Sequence, residues 1–229
     1  MCDMLYVACE EQKKKYEKLF GKKCKVLRKP AECYDRGFVG LQNAGRTFLY
    51  VGNLGTGRSK TVAEVGRCIS DAGGVLRVYS ATPVTKSLIG KFEKNKIDFR
   101  GYAPSDVIEE ECRNADVLLF AEGFGKKDIA LTKYSVSTKF PWYLGSGKMI
   151  LAAGPEGIHT IDYLKRENAA VTATDKSFFA VKAKSCFEND EKLIRNAKLC
   201  VARDFDKSTI QEMLKEDILR MASERGECL

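Results

Sequence analysis

The chain alternates short apolar runs with longer stretches in which apolar residues recur every three or four positions. The runs have strand length and the stretches have the helical period. Strands are predicted at Leu5–Ala8, Cys24–Leu27, Thr47–Val51, Val75–Ser80, Ile97–Arg100, Asp116–Phe120, Met149–Ala152 and Ala169–Thr172. Helices are predicted at Glu10–Phe20, Thr61–Ala72, Pro83–Lys94, Pro104–Arg113, Thr138–Ser146 and Gly157–Glu167. Gly21 and Gly73-Gly74 stand where a helix ends in a left-handed residue, and Pro104 stands where a first turn tolerates a missing amide. Residues 30–46 read as a connector and 122–137 as a long loop. From Lys176 to Glu224 the pattern is helical, with breaks near Asn189-Asp190 and Asp204.

The regular strand–helix alternation from residue 47 to 175 predicts an α/β fold. Its core is a doubly wound, Rossmann-like, six-stranded parallel sheet of order 3-2-1-4-5-6, followed by C-terminal helices. That order places a ligand outside the C-terminal ends of the sheet's first and fourth strands, where the winding reverses. The segments leaving those strands are Gly52–Ser59 and Ala121–Lys139, the two least ordinary loops in the chain.

The first loop, GNLGTGRS at 52–59, has glycines that let backbone amides approach an anion, a helix start aimed at the same place, and Arg58 to pair a phosphate. It lacks G-x-G-x-x-G and differs from a P-loop by Arg for Lys, with Glu122 as a loose counterpart for holding magnesium. A turn whose glycines only let the next helix pack closely is the competing reading. In the second loop Ser137 or Thr138 can cap the following helix, the amides at 138–140 can take a phosphate, and Lys139 adds charge.

Composition narrows the chemistry. His159 is the only histidine, so a His-based metal site or Ser-His-Asp triad would hang on one residue; opening a helix, it is expected at the surface. Nine cysteines, odd in number and without C-x-x-C, read as small buried hydrophobes of a reducing cytoplasm rather than disulfides or a zinc site. No apolar run approaches the ~20 residues of a membrane span, and MCDMLYVACEEQKKK does not read as a signal peptide. The net charge of +8 is concentrated at 13–15 and 22–29. It reads as a solvated face or as attraction to an anionic membrane; nucleic acid is not expected, because aromatic and basic residues do not interleave.

The run STKFPWYLGSGKMILAAGPEG at 137–157 resembles the donor-binding segment of bacterial GT-B glycosyltransferases of the group 1-like type. YVGNLGTGR resembles their first loop, FRGYAPSDVIEEECRNADVLLF their base-binding loop, helix and strand, and the first 30 residues the stretch closing their N-terminal domain. The resemblance implies the C-terminal half of a GT-B fold. Residues 1–36 would end the N-terminal, acceptor-binding domain, 37–204 would form the nucleotide-sugar-binding domain, and 205–229 a C-terminal helix reaching back to the missing domain.

By position, Gly52, Asn53 and Arg58 would meet the diphosphate, Gly101 and Tyr102 would grip the base, and Ser137, Thr138 and Lys139 would hold the distal phosphate. Two family carboxylates are replaced here, by Trp142 and Tyr134, and Glu122 is a possible substitute. The implied partners are a UDP- or GDP-type sugar donor and the missing acceptor domain, with peripheral membrane contact through the basic stretch and no metal cofactor. The alternatives are a non-catalytic nucleotide or sugar-nucleotide binding module and a P-loop-like NTPase. Asp204-Phe205-Asp206 formally matches the metal-binding D-x-D, but falls at a helix break where Asp206 and Ser208 serve as caps.

Overall fold

A computed structural model describes residues 4–31, 46–188 and 190–224. Cys2, Cys33, Cys228, most of the 30–46 connector, the boundary at 36/37, Asn189 and residues 225–229 lie outside the described residues.

The chain opens with β1 (Leu5–Val7), α1 (Glu10–Phe20) and β2 (Cys24–Val26), whose strands pair in parallel in a two-stranded sheet of their own. Gly21 closes α1 in the left-handed region at φ 62°, as predicted, and its amide donates to the Glu17 carbonyl. The main sheet follows: β3 (Thr47–Val51), β4 (Val75–Tyr79), β5 (Asp98–Gly101), β6 (Val117–Ala121), β7 (Met149–Ala153) and β8 (Val171–Ala173). All pairings are parallel and the order is β5-β4-β3-β6-β7-β8. Counted from β3 this is 3-2-1-4-5-6; counted along the whole chain it is offset by the separate leading pair.

Both faces of the sheet are sealed, which is why its strands read as unbroken apolar runs. Phe48 and Tyr50 point to one face with α2 (Arg58–Asp71), α3 (Lys86–Lys94) and α8 (Phe179–Ser185). Leu49 and Val51 point to the other, with α4 (Ser105–Asn114), α6 (Phe140–Gly145), α7 (His159–Arg166) and much of α9 (Glu191–Asp204). Six described cysteines are buried and form no disulfide among the described residues, serving as small apolar residues.

Two predictions of local structure are corrected. Residues 122–137 are not all loop: α5 spans Lys126–Thr132, too short to show a period, and the Thr132 hydroxyl donates to the Asp128 carbonyl. Helix α2 begins at Arg58, one turn earlier than expected, because its first turn is polar and only the later turns carry the apolar stripe.

The last helix, α10 (Lys207–Glu224), is started by Asp206, whose carboxylate accepts from the Thr209 amide and the Ser208 hydroxyl. The expected capping role of D-x-D is what the structure shows. Buried Asp217 of α10 accepts from the Tyr6 hydroxyl at 3.0 Å and pairs with Lys25, tying α10 to β1 and β2. The hydrogen bond from Lys25 holds the Asp217 carboxyl below its usual range, with Tyr6 and Arg220 helping and burial opposing. A depressed carboxyl stabilises the fold above its unfolded pKa of about 3.9, and that contribution disappears as pH falls through the folded value. Asp217→Asn is therefore expected to lower stability in urea at pH 7, with the gap to wild type narrowing only as pH falls below the unfolded value of about 3.9.

Candidate functional site

A cavity of about 700 Å³ opens at the C-terminal edge of the main sheet. Its floor is Val51, Gly52 and Asn53 leaving β3, with Tyr79 to Pro83 leaving β4. One wall is Tyr102 and Ala103 after β5, then Ser105, Ile108 and Glu109 of α4; the other is Thr138, Lys139 and Trp142. Lys29, from the segment after β2, reaches across and donates to the Thr138 carbonyl at 3.4 Å.

Of the ten residues singled out from sequence, Gly52, Asn53, Tyr102, Thr138, Lys139 and Trp142 line this cavity. Gly101 and Ser137 support it without lining it. Gly101 has φ 69°, a turn that suits glycine, and its carbonyl accepts from the Ser80 amide. The next residue, Tyr102, is thereby delivered to solvent, 75% exposed. The Ser137 hydroxyl accepts from the Lys139 amide at 3.3 Å, and the Ser137 carbonyl accepts from the Phe140 amide at 3.1 Å. The expectation of free amides throughout 138–140 is thus corrected. The Thr138 amide makes no hydrogen bond among the described residues, while those of Lys139 and Phe140 are spent on the turn. Asn53 likewise keeps its amide clear, its carbonyl accepting from the Tyr50 hydroxyl and its side chain accepting from the Gly55 amide.

Arg58 and Glu122 lie outside the cavity and meet each other. Arg58 Nη2 is 2.9 Å from Glu122 Oε2 and 3.0 Å from Oε1, and Nη1 donates to Thr56 Oγ1. Burial pushes the Glu122 carboxyl up, against the pull of Arg58. The Thr61 hydroxyl donates to the Glu122 carbonyl at 2.8 Å, fastening α2 to the end of β6.

The glycine-rich loop is not an empty cradle. The Arg58 amide donates to Gly55 O and the Ser59 amide to Leu54 O, so the first amides of α2 are satisfied within the loop. A Cβ on Gly57, at φ 76°, would lie 2.3 Å from Asp128 Oδ2, and one on Gly123 would lie 2.3 Å from Thr56 O. The reversal point between β3 and β6 is therefore filled by two loops in close contact. The open space is displaced onto β3, β4 and β5. Close packing, the plainer of the two sequence readings, accounts for Gly57; the part of the loop that lines the cavity is its beginning, Gly52 and Asn53.

Trp142 is half-buried, packing on the core while lining the cavity. Tyr134 lies elsewhere, its ring flanked by the ammonium groups of Lys15 and Lys133 at 4.9 and 4.7 Å. His159, expected at the surface, is buried, 2.6 Å from Glu11 Oε2; burial pushes its pKa down, partly offset by Glu11.

Sequence reasoning missed Ser80, Thr82, Glu109 and Lys29 as cavity residues. The polar run Ser80-Ala81-Thr82 at the end of a strand next to the sheet's first was a usable signal, since ligands gather at that edge. Lys29 carries no local sign of its position.

No protein-family profile matches the sequence, and no curated protein does. Solved structures share the fold. One is a variant of S. aureus TarM in complex with Fondaparinux, alpha-GlcNAc-glycerol and UDP, with TM-score 0.71, 12% identity, and coverage of 93% of this chain and 43% of its own. The alpha,alpha-trehalose 6-phosphate synthase from Burkholderia multivorans gives TM-score 0.68 at 12% identity, over 98% and 59%. The pneumococcal O-GlcNAc transferase GtfA, in complex with UDP and GlcNAc, gives 0.61 at 16%, over 95% and 45%. These neighbours are GT-B glycosyltransferases, and this chain has the fold of their C-terminal domain. It spans about half the length of the solved chains it matches.

Proposed function

We propose that the chain binds a nucleoside diphosphate sugar in the cavity beside β3, β4 and β5, and that together with an acceptor-binding domain it transfers the sugar. The observation that carries this reading is the cavity's polar composition. Two amides without a hydrogen-bond partner among the described residues, at Asn53 and Thr138, share it with two ammonium groups, at Lys29 and Lys139, and with the exposed ring of Tyr102. Amides and cations suit a diphosphate, and an aromatic face suits a base. UDP in the TarM and GtfA structures of the same fold supports the same ligand class.

In this reading Lys29, Lys139 and the amides neutralise the charge that develops on the departing diphosphate, so no metal cofactor is required. Gly101 and Tyr102 hold the base. Gly52 and Asn53 form the diphosphate floor, Ser137 fixes the turn that presents Thr138 and Lys139, and Trp142 closes the wall. Arg58 and Glu122 position the loop and do not touch the ligand. A non-catalytic binding module is the second reading, favoured by Trp142 and Tyr134 standing where resembling enzymes carry acids. The altered P-loop loses support, because the first amides of α2 are already bonded.

Calorimetric titration with UDP, GDP and ATP, with magnesium and with chelator, tests the proposal. UDP or GDP is expected to bind in the micromolar range with chelator present. Lys139→Ala is expected to weaken binding about tenfold, the loss of one charge-assisted hydrogen bond. Binding of ATP alone, and only with magnesium, would sink the reading.

We place the protein in the cytoplasm, at the inner membrane face. Among the described residues no helix is long and apolar enough to cross a membrane. The tip of α1 exposes Leu19 and Phe20 beside Lys18, Lys22 and Lys23, a combination suited to an anionic surface. Co-sedimentation with anionic but not zwitterionic vesicles, lost in Phe20→Ser, is the expected result; equal sedimentation with both would remove membrane attraction from the proposal.

A further inference from the structure

Away from the cavity, three side chains of different chemistry converge where the start of α1 meets α7. Cys9, the residue before α1, is fully buried. Glu11 lies in the first turn of α1, and buried His159 is the first residue of α7. One ligating atom from each lies within 4.8 Å of the other two. His159 Nδ1 is 2.6 Å from Glu11 Oε2, but the oxygen stands out of line for a hydrogen bond, and the nitrogen has no hydrogen-bond partner among the described residues. Cys9 Sγ lies 3.8 Å from the Tyr134 carbonyl oxygen. The Glu11 side chain is 44% exposed, so the cluster has two sealed walls and one open to solvent.

We propose that Cys9, Glu11 and His159 form a zinc-type metal site that joins the β1–α1–β2 unit to the main domain. A thiolate, an imidazole nitrogen and a carboxylate oxygen make a ligand set that selects zinc over magnesium or calcium, which take all-oxygen shells. Bond lengths of about 2.0–2.3 Å bring tetrahedral ligands to roughly 3–4 Å from one another. The present separations, 2.6 Å between His159 and Glu11 and at most 4.8 Å between any two, bracket this range, so small side-chain rotations on binding would close the shell. Water or the Tyr134 carbonyl takes the fourth position. The ion displaces the thiol proton to solvent, so binding releases protons.

The role is structural. None of the three residues lines the cavity. The His159 amide, however, donates to the Lys133 carbonyl at 3.1 Å, so an ion here would hold α1, α7 and the segment running from Lys133 to Lys139 in one clamp. The site stands independently of the nucleotide reading, and the two can fail separately.

Cobalt(II) titration of the whole chain under reducing conditions is the first test. One equivalent should give the thiolate-to-cobalt charge-transfer absorption and be displaced by zinc. Cys9→Ser should abolish that absorption and weaken binding by at least about 10–100-fold, a loss already reached when outer-shell partners are removed. Cys68→Ser, at a cysteine of α2 on the opposite face of the sheet, should leave it unchanged. His159→Gln should shift the ligand-field bands, and circular dichroism checks that each variant folds. X-ray absorption on the zinc-loaded wild type needs no variant: one sulfur at about 2.3 Å and the remaining ligands nitrogen or oxygen at about 2.0 Å are expected. An absorption unchanged in Cys9→Ser, a shell without sulfur or with several, or no stoichiometric binding would each overturn the proposal.

Discussion

Replacing Arg58 by alanine is expected to destabilise the protein by about 3–5 kcal/mol, read as a lowered midpoint in urea. The cost comes from what the substitution leaves behind. The Glu122 side chain is 4% exposed and Arg58 Nη2 is its cation at 2.9 Å. Without it a carboxylate stays buried, or takes up a proton in a site built for an ion pair. Arg58→Met combined with Glu122→Leu should recover most of the loss, because exchanging a whole buried pair for apolar groups is far cheaper than orphaning one member. A phosphate ligand role predicts otherwise: Arg58→Ala would fold normally and lose only nucleotide affinity, and the double substitution would not rescue it. The two outcomes separate a positioning arginine from a binding one.

Phe140→Ala is expected to cost about 3–5 kcal/mol as well, but with a functional consequence. Phe140 is 1% exposed and is the hub of an aromatic cluster. Its ring meets Phe120, Tyr163 and Phe205 edge-on, at centroid distances of 6.2, 5.4 and 5.6 Å. It is also the first residue of α6, directly after Lys139. Removing the ring empties the anchor beneath the corner that presents Thr138 and Lys139. Nucleotide affinity should therefore fall together with stability, although Phe140 touches no ligand. Phe140→Leu, which retains most of the volume, should recover most of both. Denaturation and UDP titration of the same pair of variants check this; unchanged affinity in destabilised Phe140→Ala would separate the cluster from the site.

The sheet was legible because burial on both faces writes itself as uninterrupted apolar runs, as in Val117–Ala121 and Met149–Ala153. The end of α1 was legible because Gly21 occupies a conformation other residues resist. The site was legible only in part. Topology points to strand ends, and Gly52, Asn53, Thr138 and Lys139 follow from that. Topology says nothing about which of two adjoining gaps is filled. Gly57 packing on Asp128 and Gly123 on Thr56 closes the gap at β3 and β6, and such contacts join positions far apart in sequence. The Arg58–Glu122 pair escaped for the same reason, its members being 64 positions apart. His159 was misjudged because a polar residue in the first turn of a helix carries no apolar signal of its own, and the partner that meets it comes from α1.

The bond between Tyr6 and Asp217 joins residues 211 positions apart. During synthesis the ribosome delivers β1 and β2 long before it delivers the helix that anchors them. A pair of three-residue strands has too little interface to persist alone. The β1–β2 pair therefore gains its full set of contacts only once α10 is in place. The β1–α1–β2 unit and α10 are thus coupled in stability across nearly the whole chain, and loosening either one should loosen the other.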